Sequence, residues 1–293
     1  MNKCSDVNGI ALLLVLWILS LLTIIAIGMT TTLRTETALA ANQLNNARFR
    51  NQAEAGIQFA ALNLLTPASM DADEDADSPK LWMPDGKHHT WSLDGEVLDI
   101  RIINEASLID LNSAERPLLL SLMNAAGLKD RDVDSLVDAI LDWRDEDNLH
   151  LANGAEDADY AAAGRPYGAK DAPFDSVEEL RQVLGFDRSI YELLAPALTV
   201  SSALPTPQVD FAPDLVRAAV EGISLEELQN RLEEEAAVVN KPLQPRGRGG
   251  PLYRIQVRWQ GPNGTTRTME ALARIQMGMD LPVTILYRHY AIT

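Results

Sequence analysis

The stretch GIALLLVLWILSLLTIIAIGM, from Gly9 to Met29, decides how the rest of the chain is read. No charged residue occurs between Gly9 and Leu33, and thirteen of residues 10–29 are Leu, Ile or Val. About 20 such residues rise roughly 30 Å as a helix, the thickness of a hydrocarbon core. At ~0.3–0.6 kcal/mol each, the large aliphatic side chains favour insertion by about 5 kcal/mol. A membrane-inserted N-terminal helix is the expectation.

Three fates of that helix are open. An ordinary signal peptide would be cut after the small residues Ala26 and Gly28. A plain single-span anchor would stay uncut. A third kind of signal is cut on the polar side of the apolar run, between Gly9 and Ile10, and leaves the helix intact. Continuity favours the third. Between Ile10 and Thr66 there is no proline, and the only glycines are Gly28 and Gly56. Residues 30–65 are rich in helix formers, and Leu33, Ala40, Leu44, Ala47, Ala55, Phe59 and Leu62 recur at three- and four-residue steps. Thr66-Pro67 ends the pattern. One helix of about 57 residues, roughly 85 Å long, is predicted.

The body that follows is acidic. The whole chain carries −17 with a pI near 4.6, a field that repels phosphate backbones and excludes nucleic acid as a general partner. Cys4 is the one cysteine, so no intramolecular disulfide can form. Residues 71–79 read as a solvated acidic linker. Residues 90–93 and 96–104 read as a hairpin around Asp94-Gly95, with Val97, Ile100, Ile102 and Ile103 suited to strand packing. From Ser107 to about Asn240 the pattern is helical: 115–126, 129–143, 176–184, 189–198, 212–220 and 224–238. Asn112-Ser113, Ser176 with Glu179, and Ser224 with Glu227 supply capping signals. The Pro-bearing stretch 203–209 reads as a joint between two helical domains. The glycine-linked helix pair around Gly127 carries too many aspartates (130, 132, 134 and 138) to face phosphate. From Lys241 onward the charge reverses to about +6, with a flexible loop at 246–250 and strands at 253–259, 266–276 and 283–289.

The uncharged helix directly after Gly9, together with Asn51-Gln-Ala-Glu-Ala-Gly-Ile57, resembles the type IV pilin and pseudopilin superfamily. The closer resemblance is to the K-type minor pseudopilin of type II secretion. It rests on Gly9 to Trp17, Ile109-Asp-Leu-Asn-Ser-Ala114, Ile140-Leu-Asp-Trp-Arg-Asp145, Asn153 to Tyr160, Pro166-Tyr-Gly168, Phe174 to Leu180, and Leu198-Thr-Val200. Most pilins carry glutamate at the fifth mature position, where this chain has Leu14. A carboxylate in lipid costs on the order of 3 kcal/mol unless paired, so Leu14 enters freely but cannot pair with a neighbour's amine. The resemblance implies a tip position and an α+β fold: a long N-terminal transmembrane helix, a pilin-like body with an antiparallel sheet, and a large inserted all-helical, SAM-like region. The implied division is a prepilin leader at 1–9, the transmembrane half of the helix at 10–30 and its periplasmic half at 31–66. The first part of the body follows at 67–105, helical domains at 106–202 and 203–245, and the last strands at 246–293.

Implied partners are I- and J-type minor pseudopilins, the inner-membrane assembly platform, the membrane, and a prepilin peptidase cutting between Gly9 and Ile10 with methylation of the new terminus. The implied location is the bacterial inner membrane, single-pass, with the body in the periplasm. The stripe 40–62 and the small side chains of Ala53, Ala60 and Ala61 are expected to carry helix contacts to other subunits, and the stripe is expected to pack on the globular body as well.

Seven carboxylates between Asp142 and Asp159 repel one another, and a hard dication would convert that repulsion into binding. The spacing does not match an EF-hand. The family resemblance adds calcium, with Asp145, Asp147, Glu156, Asp157 and Asp159 as the expected ligands and Asp142 explained as a helix-end cap. Catalysis has little support. His88-His89 reads as an exposed turn, no thiol remains in the body, and no Gly-x-Ser-x-Gly or phosphate loop occurs. The rival readings are a membrane-anchored periplasmic binding module outside any filament and a secreted acidic domain.

Overall fold

A computed structural model describes residues 7–66, 81–128, 132–238, 247–261, 264–276, 278 and 280–292. The acidic run 71–79, the leader residues 1–6 and the 129–131 stretch lie outside the described residues. The chain divides into two units, Met1–Gln52 and Ala53–Thr293.

The first unit is helical from Val7 onward and belongs to α1, Val7–Leu65, which runs without a break as the proline-free sequence requires. Gly9–Ile10 falls in its first turns. The apolar side chains of its first turns face away from protein: Leu12 is 73% exposed and Trp17 77%. Among the described residues it is the one helix long and apolar enough to cross a membrane, with a mean hydropathy of 2.8 over its most apolar window. Hydroxyls in it are satisfied internally. Ser20, Thr23 and Thr30 each donate to the carbonyl four residues back at 2.7–2.8 Å, and Thr35 and Thr37 do likewise. Such back-bonding leaves no polar group bare in an apolar medium.

In the second unit the last turns of α1 bury Ala53, Gly56, Ile57, Ala60, Ala61 and Leu64, one face at three- and four-residue steps. A Cβ on Gly56 would stand 3.1 Å from Ile100 Cδ1 and 3.4 Å from both Leu98 and Val257, so glycine lets the helix backbone settle onto the sheet. This corrects two expectations. Ala53, Ala60 and Ala61 are consumed inside the body and are not free for other subunits, and Leu62 of the expected stripe is 61% exposed.

The sheet is antiparallel, in the order β1-β2-β5-β6-β7. Its strands are β1 (Asp85–Leu93), β2 (Glu96–Asn104), β5 (Leu252–Gln260), β6 (Thr266–Ile275) and β7 (Val283–Ile292). Asp94 and Gly95 turn the first hairpin with φ of 52° and 82°, the left-handed pair that a two-residue hairpin needs. Leu98, Ile100 and Ile102 point inward while Val97 and Ile103 point away, so only one of each alternating pair is core. β1 starts earlier than expected and takes in His88-His89, which are strand residues and not a turn. His89 stacks on Trp82 at 4.7 Å, and Phe59 of α1 stacks on Trp91 at 4.9 Å.

Between β2 and β5 lies the helical insert. β3 (Ile109–Asp110), near its start, and β4 (Leu198–Thr199), which follows the helix Arg188–Leu194, pair in parallel. α2 (Arg116–Ala125), α3 (Val133–Arg144), α4 (Asp157–Ala162), α5 (Arg188–Leu194), α6 (Asp214–Glu221) and α7 (Leu225–Val238) surround one core. Leu119, Leu122, Ile140, Trp143, Tyr160, Leu194, Val216 and Leu228 belong to the same buried cluster. The expected joint at 203–209 therefore connects helices of one core, and it does not separate two domains. Two capping expectations fail. Asn112 instead receives the Phe174 N–H at 2.7 Å and donates to its carbonyl at 3.0 Å, while Glu115 occupies the α2 cap. Ser176 opens only a short 3-10 stretch, Val177–Arg181, because the Glu179 carboxylate takes the Asp175 N–H and the Lys170 ammonium. Ser224 does cap α7, accepting the Glu227 N–H at 3.1 Å.

Candidate functional site

α3 lines up Asp138 and Asp142 one turn apart and ends on Asp145, so three carboxylates share a face of one short helix. Asp138 is neutralised: Arg116 donates to it at 2.7 Å and Asn153 donates twice. Burial would raise its pKa, but Arg116 and Asn153 outweigh burial and hold it below the usual range. Asp142 is fully buried and receives N–H groups from Leu151 and Ala155. It does not cap α3; it gathers the following loop around itself. A Cβ on Gly154 would fall 1.8 Å from Asp142 Oδ2, which is why that loop needs glycine there.

Asp145 closes α3, its N–H on the Leu141 carbonyl, and one of its carboxylate oxygens is buried without a hydrogen-bond partner. Glu156 precedes α4 and is 4% exposed, with both carboxylate oxygens buried and unpartnered. Asp171, held at a φ of 52°, brings a further unpartnered buried oxygen. Burial raises the carboxyls of Asp142, Asp145 and Glu156. Asp142 is pushed up by burial and then by Asp145 and Asp138, and Asp145 by burial, Asp147 and Asp171. Glu156 is pushed up to about 7 by burial and then by Asp142, Asp171, Asp145 and Asp157.

The other expected ligands stand differently. Asp147 is exposed and accepts the Leu149 N–H at 2.9 Å. Asp157 is exposed and lies against Gly168, where a Cβ would be 1.6 Å from its Oδ1. Asp159 is committed to the Glu156 N–H at 3.0 Å. The fold thus brings Asp145 and Glu156 together and adds Asp142 and Asp171. Among the described residues, no three acidic or histidine side chains already converge as a finished metal cage. Asp171 gave no signal in the sequence, being separated from the carboxylate run and joined to it only by the path of the chain.

A second cluster holds the insert to the sheet. Glu105, fully buried at the end of β2, accepts two hydrogen bonds from Arg254 of β5 at 2.7 and 3.1 Å and one from the Thr199 hydroxyl. Asn104 accepts the Gly250 N–H at 3.1 Å. Arg248, 7% exposed, donates to the carbonyls of Trp82 at 2.7 Å and Thr66 at 3.1 Å, closing the end of α1 with a cation. The expected flexible loop at 246–250 is in this part a buried clamp.

Comparison with known proteins gives a consistent answer. Residues 100–203 match the family model of protein K of the type II secretion system. Type II secretion system protein K of Klebsiella pneumoniae is 29% identical over 250 residues, 78% of this chain and 76% of that protein. Its counterpart in Pectobacterium carotovorum subsp. carotovorum is 32% identical over 211 residues, 66% of this chain and 62% of that one. A chain in the crystal structure of the GspK-GspI-GspJ complex from the enterotoxigenic Escherichia coli type 2 secretion system superposes with a TM-score of 0.58. That superposition covers 88% of this chain and 98% of that chain at 15% identity, which speaks for a shared fold.

Proposed function

The chain belongs to the protein K family of type II secretion, a family of structural pseudopilins and not of enzymes, and from that premise we propose that it starts and caps a short periplasmic filament. The observation that carries this reading is the build of α1. Its N-terminal part exposes an uncharged, mostly aliphatic surface and self-satisfied hydroxyls, while its C-terminal turns are packed on an antiparallel sheet. A bilayer is the solvent that fits the first part. Leu14 supports a tip position, since it offers no carboxylate to a subunit above it. The insert supports it too, as bulk that further subunits would have to avoid. The proposed partners are I- and J-type minor pseudopilins, as in the complex just described, with an inner-membrane platform beneath and the body in the periplasm.

Calcium is proposed as a structural ligand of the acidic loop. Support comes from four buried carboxylate oxygens without partners, on Asp145, Glu156 and Asp171, and from glycines that press Asp142 and Asp157 against backbone. When bound, the cation supplies the charge that lets these groups ionise together. Asp145, Glu156, Asp142 and Asp171 would hold it, with Asp157, Asp147 and Asp159 on the rim.

Mass spectrometry of the mature N-terminus from native membranes tests the pseudopilin assignment to a filament. A methylated Ile10 start is expected from cleavage after Gly9. A start at Met29 would mean a secreted domain, and an intact Met1 a plain anchored module; either result sinks the proposal.

A further inference from the structure

The outer face of the sheet, opposite α1, carries a polar cleft of about 290 Å³ that none of the foregoing uses. Its walls come from alternate positions of β1, β2, β5 and β6: His88, Asp99, Arg101, Arg258, Thr266 and Thr268. The register sets Arg258 beside Asp99 on one side and Thr268 on the other. Asp99 would be its natural counter-ion, yet Asp99 is turned to His88, whose Nδ1 stands 2.8 Å away. Arg101 spends one guanidinium N–H on the Gly86 carbonyl at 2.9 Å. The Arg258 guanidinium and the two threonine hydroxyls take no side-chain partner among the described residues. Two arginines and a histidine therefore face one carboxylate that is already engaged, and hydroxyl donors stand beside them.

We propose that this cleft receives a carboxylate carried by an acidic segment of a partner protein. A planar guanidinium fork without a counter-ion matches a carboxylate in two parallel hydrogen bonds. A protein segment is the source that fits. The cleft is at the small end of ligand pockets, and its lining residues are all polar or charged, without the hydrophobic residues that predominate around a free small molecule. The chain's −17 field does not gather free anions, so the contact is a short-range one, made once surfaces have met. The cleft lies apart from the acidic loop and does not depend on the filament assignment.

The test uses the full chain in detergent micelles, without divalent cations, and a fluorescein-labelled hexaglutamate peptide flanked by Gly-Ser. Anisotropy titration is expected to show binding that weakens at least tenfold with Arg258→Gln and again with the hexaglutamine peptide. Arg165→Gln, at an exposed cation elsewhere, is expected to leave it unchanged. Equal binding by Arg258→Gln with an unaltered melting temperature, or no binding at all, overturns the proposal. Displacement of the peptide by equimolar glutarate would assign the cleft to a free dicarboxylate and overturn it as well.

Discussion

Removing calcium and sweeping pH isolates the cost of packing carboxylates around Glu156. Its pKa rises from 4.5 to about 7 in the folded, metal-free protein. A difference of about 2.5 units at ~1.4 kcal/mol per unit makes ionising Glu156 there cost about 3 kcal/mol. Because the folded value lies above the unfolded one, this stability is fully present below about pH 4.5 and is lost as pH rises toward 7. Asp142 and Asp145 are raised as well and push in the same direction. For a unit of this size, ~3 kcal/mol corresponds to about 6–12 °C in melting temperature. The measurement is thermal unfolding of the full chain in detergent between pH 5 and 8, with EDTA or with millimolar calcium. The EDTA series is expected to fall by that amount relative to Glu156→Gln, and calcium should abolish the difference. Wild type and Glu156→Gln falling in parallel, with calcium changing neither, would refute both the cluster's energetics and its proposed ligand.

Glu105→Ala strands the Arg254 guanidinium, so a loss of about 3–5 kcal/mol in urea unfolding is expected, and less for the double change Glu105→Ala with Arg254→Met. Arg248→Ala leaves the Trp82 and Thr66 carbonyls without their cation and should cost about 2–3 kcal/mol, with faster amide exchange at the end of α1. Gly56→Val forces two extra carbons against Ile100 and Val257, where even a Cβ is tight, and should cost about 1–3 kcal/mol or more by the same measurement.

What the sequence revealed and what it hid divide by distance along the chain. α1, the β1–β2 hairpin and the closing strands rest on local signals: an apolar run without proline, an Asp-Gly turn, alternation. Each was legible, and family resemblance supplied the insert. Asn112 looked like a helix cap because Asn before a helix commonly is one. Its amide is instead matched to the backbone of Phe174, which no local window contains. Asp142 was misread for the same reason, since a carboxylate near a helix end suits capping until the loop is seen folded over it. Arg248 sat between glycines and read as solvent-exposed chain; only the arrival of the α1 terminus makes it a buried clamp. The small residues at 53, 60 and 61 were correctly read as a packing face, but a pattern cannot say whether the partner is another subunit or the chain's own sheet.

The topology explains why so large an insert leaves the sheet undisturbed. The chain leaves the sheet after Asn104 and re-enters at Leu252, and Asn104 stands in register with Tyr253 of the neighbouring strand. Without the insert, β2 and β5 would form an ordinary hairpin. Lengthening such a connection adds closure entropy only logarithmically, so a self-contained core can occupy it at small cost to the sheet. The cost falls on orientation, because a domain on two adjacent strand ends is free to swing. Glu105, Arg254 and Thr199 sit at that neck, where the insert's last strand β4 returns beside the end of β2. A buried ion pair adds little net stability over an apolar substitute, but it accepts few alternative geometries. We expect the pair to fix the direction in which the insert projects, so that a well-packed apolar replacement at 105, 199 and 254 would keep the melting temperature while broadening the insert's orientation in small-angle scattering.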